Sequence, residues 1–356
     1  MSFSEHKLFA LTRSLVDLDS TTGCEGAVAA LVADFLRASG AFDEVALWPV
    51  APGRDNVYAR RGQPSVVLST HLDTVPPFFP SREDEWAIYG RGACDAKGIC
   101  AAQIFAALAL ADEGAGGFGL LFVAGEERDS AGALAANDCA PPLANAAARW
   151  LINGEPTESK LITAGKGVLR VRLRARGRAA HSAYPELGDS AVDKLLLALA
   201  RLRAMPLPRD EALGETTLNI GTLRGGRAPN VIADEAEAEL MFRLVRPSTG
   251  LRAAIEAALA GEVEHEFVLE LPPLRLTAVE GFATATVAFG TDIPNLGNWG
   301  TPLLFGPGSI HLAHTAEERV EKAELAAAVG QYARLVRHLS SSVPPSTGPE
   351  KPVLGA

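Results

Sequence analysis

The chain has 356 residues, well past the ~100–150 typical of one domain, so two domains are expected. Hydrophobic residues make up 47% and charged residues 21%, which excludes a mostly disordered, collagen-like or coiled-coil chain. A net charge of −10, from 33 basic and 43 acidic side chains, has the wrong sign for a protein that lives on phosphate backbone, so no nucleic-acid partner is expected.

Apolar residues recur at helical spacing over 5–17 and 25–39, joined by the turn and cap cluster Asp19-Ser-Thr-Thr-Gly23, so two helices open the chain. Short β-branched or apolar runs at 45–48, 56–60 and 66–69 predict strands, the last one buried. The Ala- and Leu-rich stretch at 99–111 predicts a helix, and 119–124 and 150–153 predict buried strands. Helix alternating with strand indicates an α/β layered domain. Stretch 99–111 is the most apolar, but it falls short of the ~18–20 residues that cross a bilayer, so no membrane span is expected. The N-terminus lacks the basic and apolar regions of an export signal, and the expected location is the cytoplasm. Cys24, Cys94, Cys100 and Cys139 form no CxxC pair and read as buried thiols in a reducing compartment.

From about Lys166 the texture changes. Over 168–176 every second residue from Arg170 onward is an arginine, which predicts a strand with one wet face and an edge open to pairing. A helix at 190–203, strands at 216–223 and 235–245, a helix at 249–259 and a strand at 265–271 follow. The order β-α-β-β-α-β matches a split βαβ, ferredoxin-like unit, small enough to be an insert. After Pro273 the α/β texture returns, with an apolar run at 302–305 and a closing helix at 321–339. The expected domains are thus a discontinuous 1–165 plus 274–339 and an inserted 166–273. Residues 340–356, rich in Ser and Pro, are expected to form a disordered tail.

Acidic and histidine residues recur where a strand has just ended. His71-Leu-Asp73 follows 66–69, Glu126-Glu127 follows 119–124, and Glu155 follows 150–153. Asp95 sits just before a helix, and His314 lies beyond the run ending at Phe305. Open α/β sheets hold their ligands outside the carboxyl ends of the strands, so these residues are expected on one rim. Crowding that many carboxylates is costly unless cations neutralise them. Nitrogen and oxygen donors without thiolate suit Zn2+ or Co2+, and Mn2+ less well. Gly114-Ala-Gly-Gly-Phe-Gly119 formally fits GxGxxG but follows a helix and precedes a strand, the reverse of a dinucleotide site. Neither GxSxG nor a P-loop occurs, which removes the serine-hydrolase and NTPase readings that rest on them.

Five segments in order, Ser69-Thr-His-Leu-Asp-Thr-Val-Pro76, Gly90-Arg-Gly-Ala-Cys-Asp-Ala-Lys-Gly98, Gly125-Glu-Glu127, Gly154-Glu-Pro-Thr157 and Gly306-Pro-Gly-Ser309 followed by His314-Thr-Ala-Glu-Glu318, resemble the M20 metallopeptidase and amidohydrolase family. The resemblance implies a zinc-exopeptidase-like catalytic domain, a mixed sheet with helices on both faces, carrying an inserted lid and dimerisation domain. It implies two divalent ions, zinc first, bridged by Asp95, with His71 and Glu155 completing one site and Glu127 and His314 the other. Asp73 matches the carboxylate that fixes the tautomer of His71. Glu126 matches the general base that takes a proton from the attacking water and passes it to the leaving amine. His181, in Gly177-Arg-Ala-Ala-His-Ser-Ala-Tyr-Pro185, matches the histidine that stabilises the oxyanion, often in the neighbouring subunit of a homodimer. Asn230 and Arg243 match residues that grip the substrate carboxylate, although Met241 and Phe242 stand where the family usually has an acid. His311 competes with His314, but only His314 is followed by Thr and an acidic pair. The expected function is removal of the acyl group from an N-acyl amino acid, of the acetylornithine deacetylase type. The alternatives are a carboxypeptidase or dipeptidase of the same family, or an inactive binding protein of the same fold.

Overall fold

Strands Val66–His71 and Phe118–Val123 are buried at every position, a pattern that requires cover on both faces. In the computed structural model, which describes residues 4–139 and 150–342, these two strands lie at the centre of a six-stranded sheet. Its order is Glu44–Ala51, Arg54–Arg61, Phe118–Val123, Val66–His71, Trp150–Asn153, Thr301–Leu304. The last four strands run parallel and the first two pair antiparallel.

Alternation along the strands divides the side chains between two cores. Val66, Leu68, Leu120, Phe122 and Ile152 pack with helices Glu5–Val16, Gly26–Ser39, Lys97–Asp112 and Lys322–Ser340. Val67, Leu121, Val123 and Leu151 face the other way, onto Ala133 and Ala136 of helix Ala131–Asp138 and onto Trp299. Helix Lys97–Asp112 is buried almost all round, which is why its sequence shows no amphipathic stripe.

The chain divides into two compact units. The first comprises Met1–Thr163, Leu276–Ala285 and Thr291–Ala356; the second comprises Ala164–Arg275 and Thr286–Gly290. Segment 286–290 therefore falls in the second unit, where Lys166 N donates to the Val287 carbonyl (3.1 Å). The second unit is a four-stranded antiparallel sheet in the order Thr217–Gly225, Glu235–Leu244, Gly167–Arg176, Glu264–Leu271, with helices Ala191–Ala204 and Thr249–Leu259. This is the ferredoxin-like βαββαβ arrangement. Leu169, Val171 and Leu173 pack on Leu195 and Ile255, while Arg170 and Arg172 face outward and pair with Glu239 at 3.1 Å.

Several expectations need correction. Gly167–Arg176 is not an edge: the split order places it inside, hydrogen-bonded on both sides, and leaves Thr217–Gly225 and Glu264–Leu271 as the edges. The third strand runs on to His71, and the closing helix runs through Ser340. Of the remainder of the expected tail, 343–356 lies outside the described residues. Cys94 and Cys100 are buried, but Cys24 and Cys139 are exposed. Helix Ala131–Asp138 and strand Leu161–Gly165 had no counterpart in the sequence reading. Among the described residues, no helix is long and apolar enough to cross a membrane.

Candidate active site

Parallel pairing brings the carboxyl ends of the strands to a common edge. His71 lies opposite Val123, Ser69 opposite Asn153, and Asn153 opposite Leu304. The turns that follow carry Asp73, Glu126, Glu127 and Glu155 to that edge, as the rule for open α/β sheets requires.

Asp95 lies between two imidazoles. Its Oδ1 is 3.0 Å from His71 Nε2, and its Oδ2 is 3.3 Å from His314 Nε2. His314 Nε2 also meets Glu127 Oε1 at 2.8 Å, and Glu155 Oε2 stands 4.0 Å from His71 Nε2. Ligand atoms of His71, Asp95 and Glu127 all lie within 4.8 Å of one another. His71 Nδ1 donates to the Asp73 backbone carbonyl (3.0 Å), and a carbonyl can only accept. The proton of a neutral imidazole is thereby placed on Nδ1, leaving the Nε2 lone pair aimed into the cluster, as a metal ligand needs.

The electrostatics fit the same conclusion. Burial holds Glu155 well above the usual carboxylate range, with the charge of Glu126 adding to it. Burial likewise holds Glu126 well above that range, with His71 opposing and Asp292, Glu127 and Asp95 reinforcing the shift. Asp95 is held well below it, because hydrogen bonds from His314 and His71 outweigh its burial. His314 is raised to about 10 by its hydrogen bonds to Asp95 and Glu127. The two imidazoles are the counter-ions of this acidic group, and together they form a nitrogen and oxygen donor set. The residues present fit divalent metal.

Fixed backbone groups hold the cluster in place. Fully buried Asp73 accepts from the amides of Gly125 (3.0 Å), Glu126 (3.0 Å) and Glu127 (3.2 Å) and from the Thr22 hydroxyl (2.7 Å). It thus ties the turn after one strand to the histidine ending its neighbour. Burial alone would raise its pKa, but hydrogen bonds from His71, Thr22 and the Glu127 amide hold it below the usual range. His314 sits at φ 64°, a left-handed conformation that costs a non-glycine residue about 1–2 kcal/mol. Buried Glu318, which closes the segment His314-Thr-Ala-Glu-Glu318, accepts from Gly92 N (2.8 Å) and Asp95 N (3.3 Å) and pairs with Arg91. It therefore fixes the loop that presents Asp95.

Asp292 escaped the sequence reading altogether. It is 1% exposed and raised to about 7, first by burial, with the Ser130 hydroxyl only partly offsetting this; neither oxygen makes a hydrogen bond of good geometry among the described residues. A single aspartate in a loop gives no local signal of burial. His311 is exposed, and it is His314 that meets Asp95 and Glu127. His181 and Asn230 lie in the second unit, side by side and exposed, with Ser182 N donating to the Asn230 carbonyl (3.0 Å). Arg243, on strand Glu235–Leu244, is half-buried; burial lowers its pKa, and its guanidinium has no acidic partner among the described residues.

Comparison with known proteins places the chain in a family. Residues 163–268 match the family described as peptidase dimerisation domain, of the M20 type. A probable carboxypeptidase of Aspergillus clavatus is 41% identical, the alignment covering 93% of this chain and 82% of that protein. A peptidase M20 domain-containing protein of Schizosaccharomyces pombe is 40% identical over 93% of this chain and 84% of its own length. In fold, a tripeptidase from Staphylococcus aureus superposes with a TM-score of 0.79 at 20% identity, covering 96% of this chain and all of that one (100%). A Bacillus subtilis protein described as a dinuclear metal binding peptidase of the M20 family gives 0.69 at 16% identity, covering 95% and 99%. The chain belongs to the M20 family of metallopeptidases and is a hydrolase of that family.

Proposed function

We propose that this protein is a two-metal hydrolase of the amide bond whose nitrogen belongs to a residue with a free α-carboxylate. This describes a carboxypeptidase, and equally an enzyme that removes the acyl group from an N-acyl amino acid. The observation that carries the reading is Asp95 shared between His71 and His314, with Glu127 on one side and Glu155 on the other. Asp95 would bridge two divalent ions, His71 and Glu155 holding one and Glu127 and His314 the other. Zinc suits the donors best, with cobalt or manganese as substitutes. When bound, such a pair polarises the scissile carbonyl and acidifies the attacking water.

The chain's own residues supply the proton transfer. Glu126, half-buried and pressed by neighbouring acids toward a high proton affinity, is suited to accept a proton from water and to return it to the departing nitrogen. Asp73 ties His71 to the turn that carries Glu126, which fixes the base relative to that histidine. His181 as oxyanion donor and Asn230 and Arg243 as carboxylate grips rest on their motif positions. For Arg243 the half-buried guanidinium, without an acidic partner among the described residues, adds support, since it suits a bidentate carboxylate. The names of the relatives favour the carboxypeptidase version over acyl-group removal. The matched dimerisation family supports a homodimer, which sedimentation equilibrium checks directly.

The test is turnover by the zinc-loaded protein of dipeptides with varied C-terminal residues beside N-acetyl and N-succinyl amino acids. Release of free C-terminal residues supports the proposal, and the preferred acyl side separates the two versions. Glu126→Gln is expected to keep its metal and lose at least about 10²-fold in kcat. No hydrolysis of either class by wild type, or full activity in Glu126→Gln, would remove the reading.

A further inference from the structure

The turn that carries Glu126 and Glu127 is held from two sides. Asp73 grips its amides, as described. On the other side stands Arg54, the first residue of strand Arg54–Arg61, with a side chain 13% exposed. Its Nε donates to Glu25 Oε1 (3.1 Å) and Oε2 (3.2 Å), and its Nη2 lies 3.0 Å from Oε1. The Glu25 side chain is fully buried (0%) and also accepts from Gly23 N (2.9 Å). The two Nη groups of Arg54 reach the Asp129 carboxylate, each at 3.3 Å. Asp129 in turn accepts from Ala131 N (3.1 Å), at the start of helix Ala131–Asp138.

Gly125 is where this network touches the turn. At φ +87° it adopts a conformation that favours glycine, and a Cβ there would lie 2.2 Å from Arg54 Nη2 and 2.5 Å from Asp129 Oδ1. The guanidinium and its acidic partner are thus packed against the backbone directly preceding Glu126. The Gly125 carbonyl accepts from the amides of Arg128 (3.4 Å), Asp129 (3.0 Å) and Ser130 (2.6 Å), so the turn is wound tightly around the point of contact. A lysine could not reproduce the contact, because a point charge cannot engage two carboxylates through a planar fork.

We infer that Arg54, bridging Glu25 and Asp129, is a positioning residue that fixes the orientation of Glu126 and Glu127 through the backbone of Gly125. It makes no contact with the reacting groups and acts through the turn alone. The inference rests on the hydrolase reading for its kinetic consequence and on the metal site for its spectroscopic one. Small displacements of a catalytic group cost rate steeply, on the order of 10²-fold per ångström.

Two variants test it: Asp129→Asn, which leaves the largely buried Arg54 guanidinium still paired with Glu25, and the charge-neutral pair Arg54→Gln with Glu25→Gln. Both are measured as folded protein with two equivalents of zinc, and again with cobalt. The expected result is a fall in kcat of at least about tenfold in the pair and a smaller fall in Asp129→Asn, with KM within about twofold of wild type. The cobalt d–d absorption is expected to shift or broaden, since Glu127 lies in the same turn. A purely structural network would lower Tm while leaving kcat and the cobalt spectrum of the folded protein unchanged, and that result overturns the inference. Should the double variant not fold, Asp129→Asn decides alone by the same two readouts. Should wild type hydrolyse no substrate of either class, the hydrolase reading falls. The cobalt spectrum then still decides the positioning role, a spectrum identical to wild type in the folded variants overturning it.

Discussion

Asp73 illustrates how one buried side chain can serve several residues at once. Its two oxygens accept from three consecutive backbone amides and one hydroxyl while the imidazole of His71 lies 3.5 Å away. Asn in its place keeps one acceptor oxygen but turns an amide donor toward groups that are themselves donors. Asp73→Asn is therefore expected to destabilise the protein by about 1–3 kcal/mol, because a buried donor is left unmade. It should also weaken metal binding by about 10–100-fold through the loss of second-layer support to His71. Chemical denaturation of the metal-free form and a competitive zinc titration measure the two effects separately. Wild-type values in both would show that the contact network carries no energy. Asp73 stood out in the sequence because it matches a carboxylate in the family motif that contains His71. Asp292 was not, since nothing within the chain around it marks a loop aspartate as buried.

At the scale of elements, the site depends on how strand ends are locked to the helices behind them. Helix Ala131–Asp138 is the example the sequence did not disclose: it has eight residues, too few for a clear helical period. Its Gly132 N donates to the Ala124 carbonyl (2.8 Å), its carbonyl accepts from Asn56 Nδ2 (2.8 Å), and Asn56 Oδ1 accepts from Ala124 N (3.0 Å). A Cβ on Gly132 would lie 2.4 Å from both Ala124 N and Ala124 O, backbone atoms that cannot turn aside. Gly132→Ala is expected to cost about 1–3 kcal/mol by overpacking, against a helix propensity that alone would favour Ala. Gly330→Ala, in the exposed middle of helix Lys322–Ser340 with open space around its Cβ, is expected instead to gain about 0.5–1 kcal/mol. Urea unfolding of the two variants beside wild type compares them; equal effects would mean that the close approach at Gly132 is relieved at no cost.

Across the whole molecule, acidic and basic groups of the cluster set how stability responds to pH when no metal is bound. Glu126 and Glu155 have raised proton affinities from burial, and His314 is raised to about 10 by its acidic partners. Each binds protons more tightly folded than unfolded. Their contribution is full below the unfolded values, about 4.3 for Glu and 6.5 for His, and is lost as pH rises toward the folded ones. Asp73 and Asp95 have the opposite sign: depressed when folded, they contribute above about 3.9 and lose that contribution only in acid. Between about pH 6.5 and 7.5 the raised groups govern, below the point where Lys97, lowered to about 8 by burial, begins to act in the opposite sense, so the Tm of chelator-treated protein should fall as pH rises over that range. Over the same window the rise in Tm on adding zinc should grow, because protons and metal compete for the same lone pairs. Differential scanning calorimetry across that range checks both trends. A Tm of the metal-free form that climbs with pH would show that these groups are not held as described.

The sequence alone determined the layered α/β class, the ferredoxin-like insert and the identity of the acidic and histidine residues at the strand ends. These follow from hydrophobic period and from the position of polar residues relative to apolar runs, and both are local properties of the chain. The tertiary structure decided which strand is an edge, which thiols are covered, that Glu318 braces the loop of Asp95, and that Arg54 stands behind the turn of Glu126. Residues 54 and 129, or 95 and 318, are far apart along the chain and meet only after the sheet has assembled. Long-range pairing of that kind leaves no periodic trace, because it depends on the order of strands and the closeness of packing.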